Sequence, residues 1–441
     1  MAIVPSYEPQ NPYTLTQPAW SRDAVIYQVN TRQYSVAGNF AAVEADLPRI
    51  KALGADIIWL MPIHPIGEKN RKGELGSPYA VKDYFGINPE FGDENDLRSL
   101  VNAIHNKGMR VILDWVPNHS AWDCNLVDSH PQWYARDFKG DFRPSPWWDW
   151  DDIIEFDYAQ AGLREYMIEA MSYWIKHFDI DGYRCDVAGY VPNDFWFQAR
   201  QALDQSKPVF MLAEWENRDL HEKAFNMTYA WSWHETLHGI AKGELCLDKL
   251  RKYYSWNERA WPDSAYRMTF VTNHDMNAWD GTQEELFGEL LHAVIVLSVL
   301  GEGMPLLHNG QEAGDSKRLA FFEQDPIAWH SHEVGDLYTR LIAIKKQTPA
   351  LHNGPFGATM IQIPNNCMKQ VFSFTRMQGS EKVVVILNLS HEAVDVSFNS
   401  QLWPGEYQNV LDNTRLTAEP STTLAIAPGG YKVFKHCTSV Q

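Results

Sequence analysis

Three carboxylates and one arginine lie at the ends of separate apolar segments of this 441-residue chain. Arg184 and Asp186 close the segment Asp181–Asp186, Glu214 follows a second apolar segment, and Asp275 follows a third. Because Arg184 precedes Asp186 by two residues, both side chains would point to the same face of a strand. A carboxylate kept ionised by an arginine, beside a second one that holds a proton, is suited to nucleophilic and acid–base catalysis.

Eight apolar, β-rich segments separated mostly by helical ones predict a barrel of alternating strands and helices. The predicted strands are Val25–Val29, Ile57–Met61, Val111–Val116, Gly182–Val187, Val209–Ala213, Met227–Trp231, Met268–Thr272 and Pro305–His308. Parallel barrel strands are buried on both faces, so polar residues are expected at their carboxyl ends, where active sites of this fold lie. The carboxylates named above follow that rule.

Helical periodicity is clearest between Asp93, a predicted N-cap, and Gly108, which follows the end of the helix. Its apolar positions are Leu97, Leu100, Val101 and Ile104. A second helix follows Gly162, with one apolar face formed by Leu163, Tyr166, Met167, Ala170 and Trp174. These patterns support helices between the predicted strands.

The chain is too long for one usual domain, so we divide it into a barrel and smaller parts. Residues 118–157 are irregular and rich in Trp, Asp and Pro, which predicts a subdomain inserted after strand three. After Leu351, short β-rich runs alternate with turn residues and predict a small antiparallel domain. The predicted division is 1–117 and 158–351 for the barrel, 118–157 for the insert and 352–441 for the last domain.

The net charge is 38 − 56 = −18, which disfavours nucleic-acid or anionic-membrane partners and suits a neutral substrate. The cysteines form an odd set without metal-binding spacing, so free thiols are expected. Met1–Pro5 lacks the features of a secretion signal, and no apolar run of about 18 residues occurs. We expect a cytoplasmic enzyme, monomeric or a small homo-oligomer; a periplasmic or secreted one is the alternative if a signal was removed.

Four stretches at the predicted strand ends resemble, in order, the conserved stretches of the α-amylase family of retaining glycoside hydrolases. They are Leu113–His119, Gly182–Asp186, Leu212–Glu214 and Phe270–Asp275. Each motif is short, but four in the family's order are specific, and the resemblance covers roughly Trp20 to Phe434. It implies a (β/α)₈ TIM barrel, a subdomain inserted after strand three and a C-terminal antiparallel β-sandwich.

By this resemblance Asp186 is the nucleophile, Glu214 is the acid/base and Asp275 is a third carboxylate that grips sugar hydroxyls. In retaining enzymes the two reacting carboxyl groups lie about 5–5.5 Å apart. Glu214 must hold a proton near pH 7, which requires an apolar wall or like-charged neighbours, and Trp215 and Asp275 are candidates.

The resemblance assigns the remaining residues of one sugar subsite. His119 and His274 would donate to sugar hydroxyls, Tyr79 would form the stacking floor, and Arg184 would keep the nucleophile ionised. Asp114 is expected to support the arginine and the neighbouring strands. Other matching elements, Gly310–Glu312, Asp325–Ile327 and Trp329, are interpreted as structural, and Trp147, Trp148 and Trp150 as stacking on sugars or packing within the insert.

Two departures from the family pattern bear on function. Exo-acting members commonly carry Asp directly after the stacking tyrosine, where this chain has Ala80, so an open cleft is expected, with the Glu68–Gly76 loop along it. Calcium-dependent members often carry Lys-His soon after the nucleophile, where this chain has Gly189–Tyr190. Asn118 alone does not make a site for an ion that takes six to eight oxygens. We therefore expect no required cofactor and no metal site, with calcium as an alternative that the motifs do not support.

The sequence predicts an α-amylase that cleaves internal α-1,4-glucosidic bonds of maltooligosaccharides or starch with retention. A transglycosylase or sugar isomerase would use the same carboxylates and differ in what intercepts the intermediate. An exo-acting α-glucosidase or an α-1,6-specific enzyme is a second alternative. A catalytically inactive binding subunit is the least favoured, since all three carboxylates are present.

Overall fold

The computed structural model describes residues 15–437 and contains a closed barrel of eight parallel strands. The barrel strands are β1 (Ile26–Val29), β2 (Ile57–Leu60), β3 (Arg110–Trp115), β4 (Gly182–Cys185), β5 (Phe210–Ala213), β6 (Met227–Tyr229), β7 (Tyr266–Phe270) and β8 (Met304–His308). Each strand pairs with its sequence neighbours, and β8 pairs with β1 to close the ring. All eight predicted strands are confirmed, with small differences at their ends.

Most helices cover the outside of the barrel, as the periodicity predicts, whereas Asn125–Ser129 lies in the insert and His274–Trp279 borders the cleft. Their bounds are Thr31–Tyr34, Phe40–Leu53, Glu94–Asn106, Asn125–Ser129, Ala161–Phe178, Asn193–Asp204, Trp231–Ala241, Asp248–Ala260, His274–Trp279, Gln283–Phe287, Leu291–Leu300 and Glu333–Gln347. The helix Glu94–Asn106 begins with a capping box, in which Asp93 accepts from the backbone of Asp96 and the Asp96 side chain accepts in return. The connection between β5 and β6 carries only a short 3₁₀ turn, Arg218–His221.

The insert after β3 is held by a small antiparallel hairpin of His119–Ala121 and Ile153–Glu155. His119 is therefore both a cleft residue and the first residue of the hairpin. Pairing at the base of the insert fixes this histidine against the barrel, while the tryptophan-rich segment before Ile153 extends beside the cleft.

The C-terminal part forms an antiparallel sandwich, as the family resemblance implies. Its strands are β9 (Met360–Gln362), β10 (Val371–Gln378), β11 (Glu381–Asn388), β12 (Val394–Ser397), β13 (Gly405–Asn409), β14 (Arg415–Ala418), β15 (Thr423–Ile426) and β16 (Tyr431–His436). Six strands form one sheet in the order β9-β10-β11-β16-β13-β14, and β12 pairs with β15 in a second sheet. Val384, Ile386, Val396 and Ile426 share the apolar core of this part.

Arg376 on β10 joins this sandwich to the barrel. Its buried guanidinium donates to the carbonyl oxygens of Gly301 at 2.9 Å and His352 at 2.7 Å, and its Nε donates to Ala358 at 2.8 Å. Burial lowers the pKa of Arg376 to about 10. Backbone oxygens thus surround a cation where the two parts meet.

All five cysteines are free thiols, as predicted. Between residues 15 and 437 no helix is both long and apolar enough to cross a membrane. The segment Met1–Pro5, on which the expectation about a secretion signal depends, lies outside the described residues.

Candidate active site

One buried guanidinium holds three carboxylates at the carboxyl end of the barrel. Arg184 Nη1 donates to Asp114 at 2.8 Å and to Asp186 at 3.0 Å. Arg184 Nη2 lies 2.7 Å from Glu214 Oε1. The three carboxylates follow or end three successive strands, β3, β4 and β5, so the barrel geometry brings them to one point.

Asp114 lies under this cluster and is fully buried. Its second oxygen accepts from Trp59 Nε1 at 3.1 Å and from the Tyr79 hydroxyl at 3.0 Å. Burial raises the pKa of Asp114 to about 7, against the opposing effect of Arg184. Asp114 thus supports Arg184 and Tyr79 from below.

The residue after Asp186, Val187, has a strained backbone that contacts Glu214. Val187 adopts the left-handed conformation, with φ of 42°, which a β-branched residue rarely adopts. In this conformation its backbone N–H donates to Glu214 Oε2 at 2.8 Å. Such strain costs on the order of 1–3 kcal/mol and is typical of active sites. Here it fixes the position of Glu214 beside the residue that follows Asp186.

The buried carboxyl group of Asp186 shares Arg184 with Glu214. Burial, and then the Glu214 carboxylate, raise the pKa of Asp186 well above its usual value, while Arg184 opposes them. A single guanidinium would have to balance these two groups and Asp114. Burial thus outweighs Arg184, which was expected from the sequence to keep Asp186 ionised.

Two buried histidines flank the carboxylates in their neutral form. Burial lowers the pKa of His119 to about 4 and that of His274 to about 3. His119 Nε2 lies 3.9 Å from Asp186 Oδ2. His274 contacts Gln28 through Nδ1 and the Tyr79 hydroxyl through Nε2, both at 2.7 Å. His274 thus has a partner at each ring nitrogen before any sugar is bound, so it also positions Tyr79.

Asp275 faces the cleft from the opposite side. Its side chain is 37% exposed, and its Oδ2 lies 3.3 Å from His274 Nε2. The surrounding protein raises the pKa of Asp275 to about 6 through desolvation, with Arg184 opposing. The structure therefore places Asp186, Glu214 and Asp275 around one space, with Tyr79 as its floor.

This space is a cleft of 760 Å³ with mainly aromatic walls. The aromatic residues that line it are Tyr79, Trp148, Trp150, Tyr190, Trp215, Trp231, Trp279, Phe321 and Phe322. Flat rings match the apolar faces of sugar rings. Trp231, Trp279 and Phe321 were not proposed as cleft residues from the sequence. Each lies in a segment that follows a barrel strand, and that position is the sequence signal that could have identified them.

The three insert tryptophans have different environments. Trp148 and Trp150 stack on one another with centroids 5.6 Å apart and also line the cleft, so packing within the insert and stacking on sugars both fit their positions. Trp148 Nε1 also donates to the Tyr190 hydroxyl at 3.2 Å. Trp147 is 90% exposed and is not among the cleft residues.

Ala80 does not face the cleft. It is buried and packs in a small cluster with Ile66, Ala121 and Ile153. The expectation of an open cleft rested on a missing carboxylate at this position, and an aspartate in this backbone position would point into an apolar cluster. The residue at position 80 therefore does not indicate whether the enzyme binds the end of a sugar chain or its interior. The nearby Glu68–Gly76 loop does reach the cleft, through Lys72.

The rim elements after β8 are structural, as interpreted from the sequence. Glu312 accepts from Arg49 Nη1 at 2.8 Å and from the Tyr27 hydroxyl. Trp329 Nε1 donates to the carbonyl oxygen of Tyr34 at 2.6 Å. These contacts hold the end of the barrel together away from the carboxylates.

Among residues 15–437, no three His, Cys, Asp or Glu side chains are grouped so that they could hold a metal ion. Asn118 is buried, and its amide lies 3.1 Å from His119 Nδ1. The acidic stretch near Asp149 contacts Lys72, so a cation is already provided there by the protein.

Comparison with known proteins agrees with the geometry. The profile described as "Alpha amylase, catalytic domain" matches residues 23–336, and that of the "Alpha amylase, C-terminal all-beta domain" matches residues 364–433. The chain belongs to the α-amylase family. As a member of this family it is a glycoside hydrolase.

Similar proteins extend over almost the whole chain. An α-amylase structure from Lactobacillus plantarum shares 33% identity at a TM-score of 0.85 and covers 95% of this chain and 100% of its own. The noncanonic maltogenic α-amylase AmyB from Thermotoga neapolitana shares 31% identity at a TM-score of 0.86, covering 95% and 99%. α-Amylase MalA of Haloarcula japonica is 26% identical over 89% of this chain, which spans 60% of MalA.

Proposed function

We propose that the enzyme hydrolyses α-1,4-glucosidic bonds of maltooligosaccharides with retention of anomeric configuration. The observation that carries this proposal is the sharing of Arg184 by Asp186 and Glu214 at the floor of an aromatic cleft. The maltogenic relative named above supports a substrate made of glucose units. The net charge of −18 suits such a neutral substrate.

In the first step Asp186 attacks the anomeric carbon while Glu214 gives its proton to the leaving glycosidic oxygen. The C–O bond breaks, the sugar becomes an ester of Asp186, and the leaving sugar departs as an alcohol. Arg184 stabilises the carboxylate before attack, and Asp275 holds hydroxyls of the distorted ring. Tyr79 supports that ring from below.

In the second step Glu214, now ionised, takes a proton from water, and the oxygen of that water attacks the anomeric carbon. The ester of Asp186 is cleaved, and the sugar leaves in the α-configuration. A sugar hydroxyl could replace water, and the aromatic walls near Tyr190 and Trp215 would hold such an acceptor. The transglycosylase alternative therefore shares every group of the proposal.

A direct test follows maltoheptaose hydrolysis by NMR from the first turnover. The α-anomer of the newly formed reducing end should appear first and mutarotate slowly to the β-anomer. Initial formation of the β-anomer would contradict retention. Absence of any maltoheptaose hydrolysis would contradict the proposed substrate class. Whether cleavage is internal, as the sequence suggested, depends on the ends of the cleft.

A further inference from the structure

The position of the acid Glu214 shows which end of the cleft holds the leaving sugar and which end holds the sugar that stays bound. Glu214 follows β5, and the leaving sugar must lie on its side, next to Trp215 and Tyr190, whose rings are 5.1 Å apart. In the closed ring of eight strands β5 lies opposite β1, whose neighbours are β2 and β8. The sugar that stays bound, the glycone, therefore extends toward the loops after β2 and β8.

The Glu68–Gly76 loop follows β2 and contacts the insert on one side of this end. Lys72 Nζ lies 3.3 Å from Asp149 Oδ1 and 3.1 Å from Asp151 Oδ1. It also donates to the carbonyl oxygen of Asp149. Lys72 itself lines the cleft, so this bridge is formed at the wall of the substrate site.

The same loop contacts the segment after β8 on the other side. The backbone N–H of Leu75 donates to the Phe322 carbonyl at 3.2 Å, and that of Glu74 donates to Glu323 Oε1 at 2.8 Å. Gly73 adopts φ of +64°, and a Cβ there would lie 2.5 Å from Phe322 Cβ. Only glycine permits this close approach.

We propose that the Glu68–Gly76 loop closes the glycone end of the cleft, and that Lys72 limits how many sugar units fit there. A segment bonded to both walls of a groove leaves no passage between them. The enzyme then cuts near the nonreducing end and releases short saccharides. This inference rests on the proposed function and gives its cleavage position.

The test compares maltoheptaose with the same chain blocked at its nonreducing terminal glucose by an ethylidene group, both labelled at the reducing end. The wild-type enzyme should cleave the blocked chain at least about tenfold more slowly, because the closed end rejects the added atoms. The free chain should release short unlabelled products. Equal rates on both substrates would overturn the inference.

Two variants test the loop. The double variant Lys72→Ala, Glu323→Ala removes the ion pairs of Lys72 on one side and the hydrogen bond from the Glu74 backbone on the other. The blocked-to-free rate ratio should rise about fivefold, as expected from the loss of exposed contacts of this kind. Lys69→Ala, in the same loop with its ammonium 5.4 Å from the Trp122 ring, should leave the ratio unchanged. An unchanged ratio in the folded double variant would overturn the role of Lys72. If it does not fold, the wild-type comparison still decides, whereas no cleavage of free maltoheptaose would overturn the proposed function itself.

Discussion

Arg184 and Asp114 form a fully buried ion pair of 2.8 Å that joins two neighbouring barrel strands below the reacting carboxylates. The same Arg184 nitrogen also donates to Asp186. The position of the nucleophile thus depends on a carboxylate that never meets the substrate space.

Asp114→Ala should therefore lower the free energy of unfolding by about 3–5 kcal/mol, because it removes one partner of a buried ion pair. It also leaves Trp59 Nε1 without its acceptor and removes one of the two partners of the Tyr79 hydroxyl. Asp114→Asn keeps an oxygen at that position and should lose less. Urea unfolding of both variants measures the difference, and equal losses would contradict the role of Asp114 as an acceptor.

Asp186→Asn and Glu214→Gln should each lower kcat by at least about 10³-fold, because each removes a group that bonds to the substrate or transfers its proton. Their melting temperatures should stay close to that of the wild type, since the replacements are nearly isosteric. Near wild-type turnover in either purified variant would rule out the proposed roles.

The pKa of Asp275 predicts a pH-dependent effect on stability. It is raised from its ordinary value of 3.8 to about 6, so its stabilising contribution is complete below about 4 and is lost as the pH rises through about 6. The melting temperature of Asp275→Asn should thus exceed that of the wild type at pH 7, and this difference should be smaller at pH 4. Thermal scans between these values check the sign; a larger gain at pH 4 would contradict it.

Prolonged chelation should leave most of the activity and change the melting temperature little. Asn118 is engaged with His119, and the acidic residues of the insert face Lys72. Activity and thermal scans before and after chelator treatment measure the effect. A large loss that added calcium restores would show that ligands have been missed.

Gly189→Ala should weaken binding of the leaving sugar. A Cβ at this residue would lie 2.1 Å from the Trp215 ring, so the ring must move. Overpacking of this kind costs about 1–3 kcal/mol, and we expect kcat/KM for maltoheptaose to fall about tenfold. An unchanged kcat/KM would show that Trp215 does not hold the leaving sugar.

The fold could be predicted because its signals are local. Each barrel strand is an apolar run, and Asp93 marks the start of its helix in the sequence. The carboxylates could be placed because the ends of parallel strands meet. Ala80 was misjudged because the side-chain direction of one loop residue depends on Ile153, which is distant in sequence. Leu75 and Phe322 meet only through loop contacts, for which the sequence carries no periodic signal.

Arg376 makes the stability of the barrel and the stability of the sandwich depend on each other. The last carbonyl oxygens of the barrel helix Leu291–Leu300 and of the residue after it, Gly301, have no partner within the helix, and Arg376 supplies one from the sandwich. A barrel cut after Leu351 would expose these oxygens. A separate sandwich would keep the acceptors His352 and Ala358 of Arg376 but lose those at Leu300, Gly301 and Leu351. Heat or urea should therefore unfold the whole enzyme in one transition. Proteolytic cleavage within the sheets of the sandwich should reduce sugar hydrolysis, although the cleavage site is far from the catalytic carboxylates.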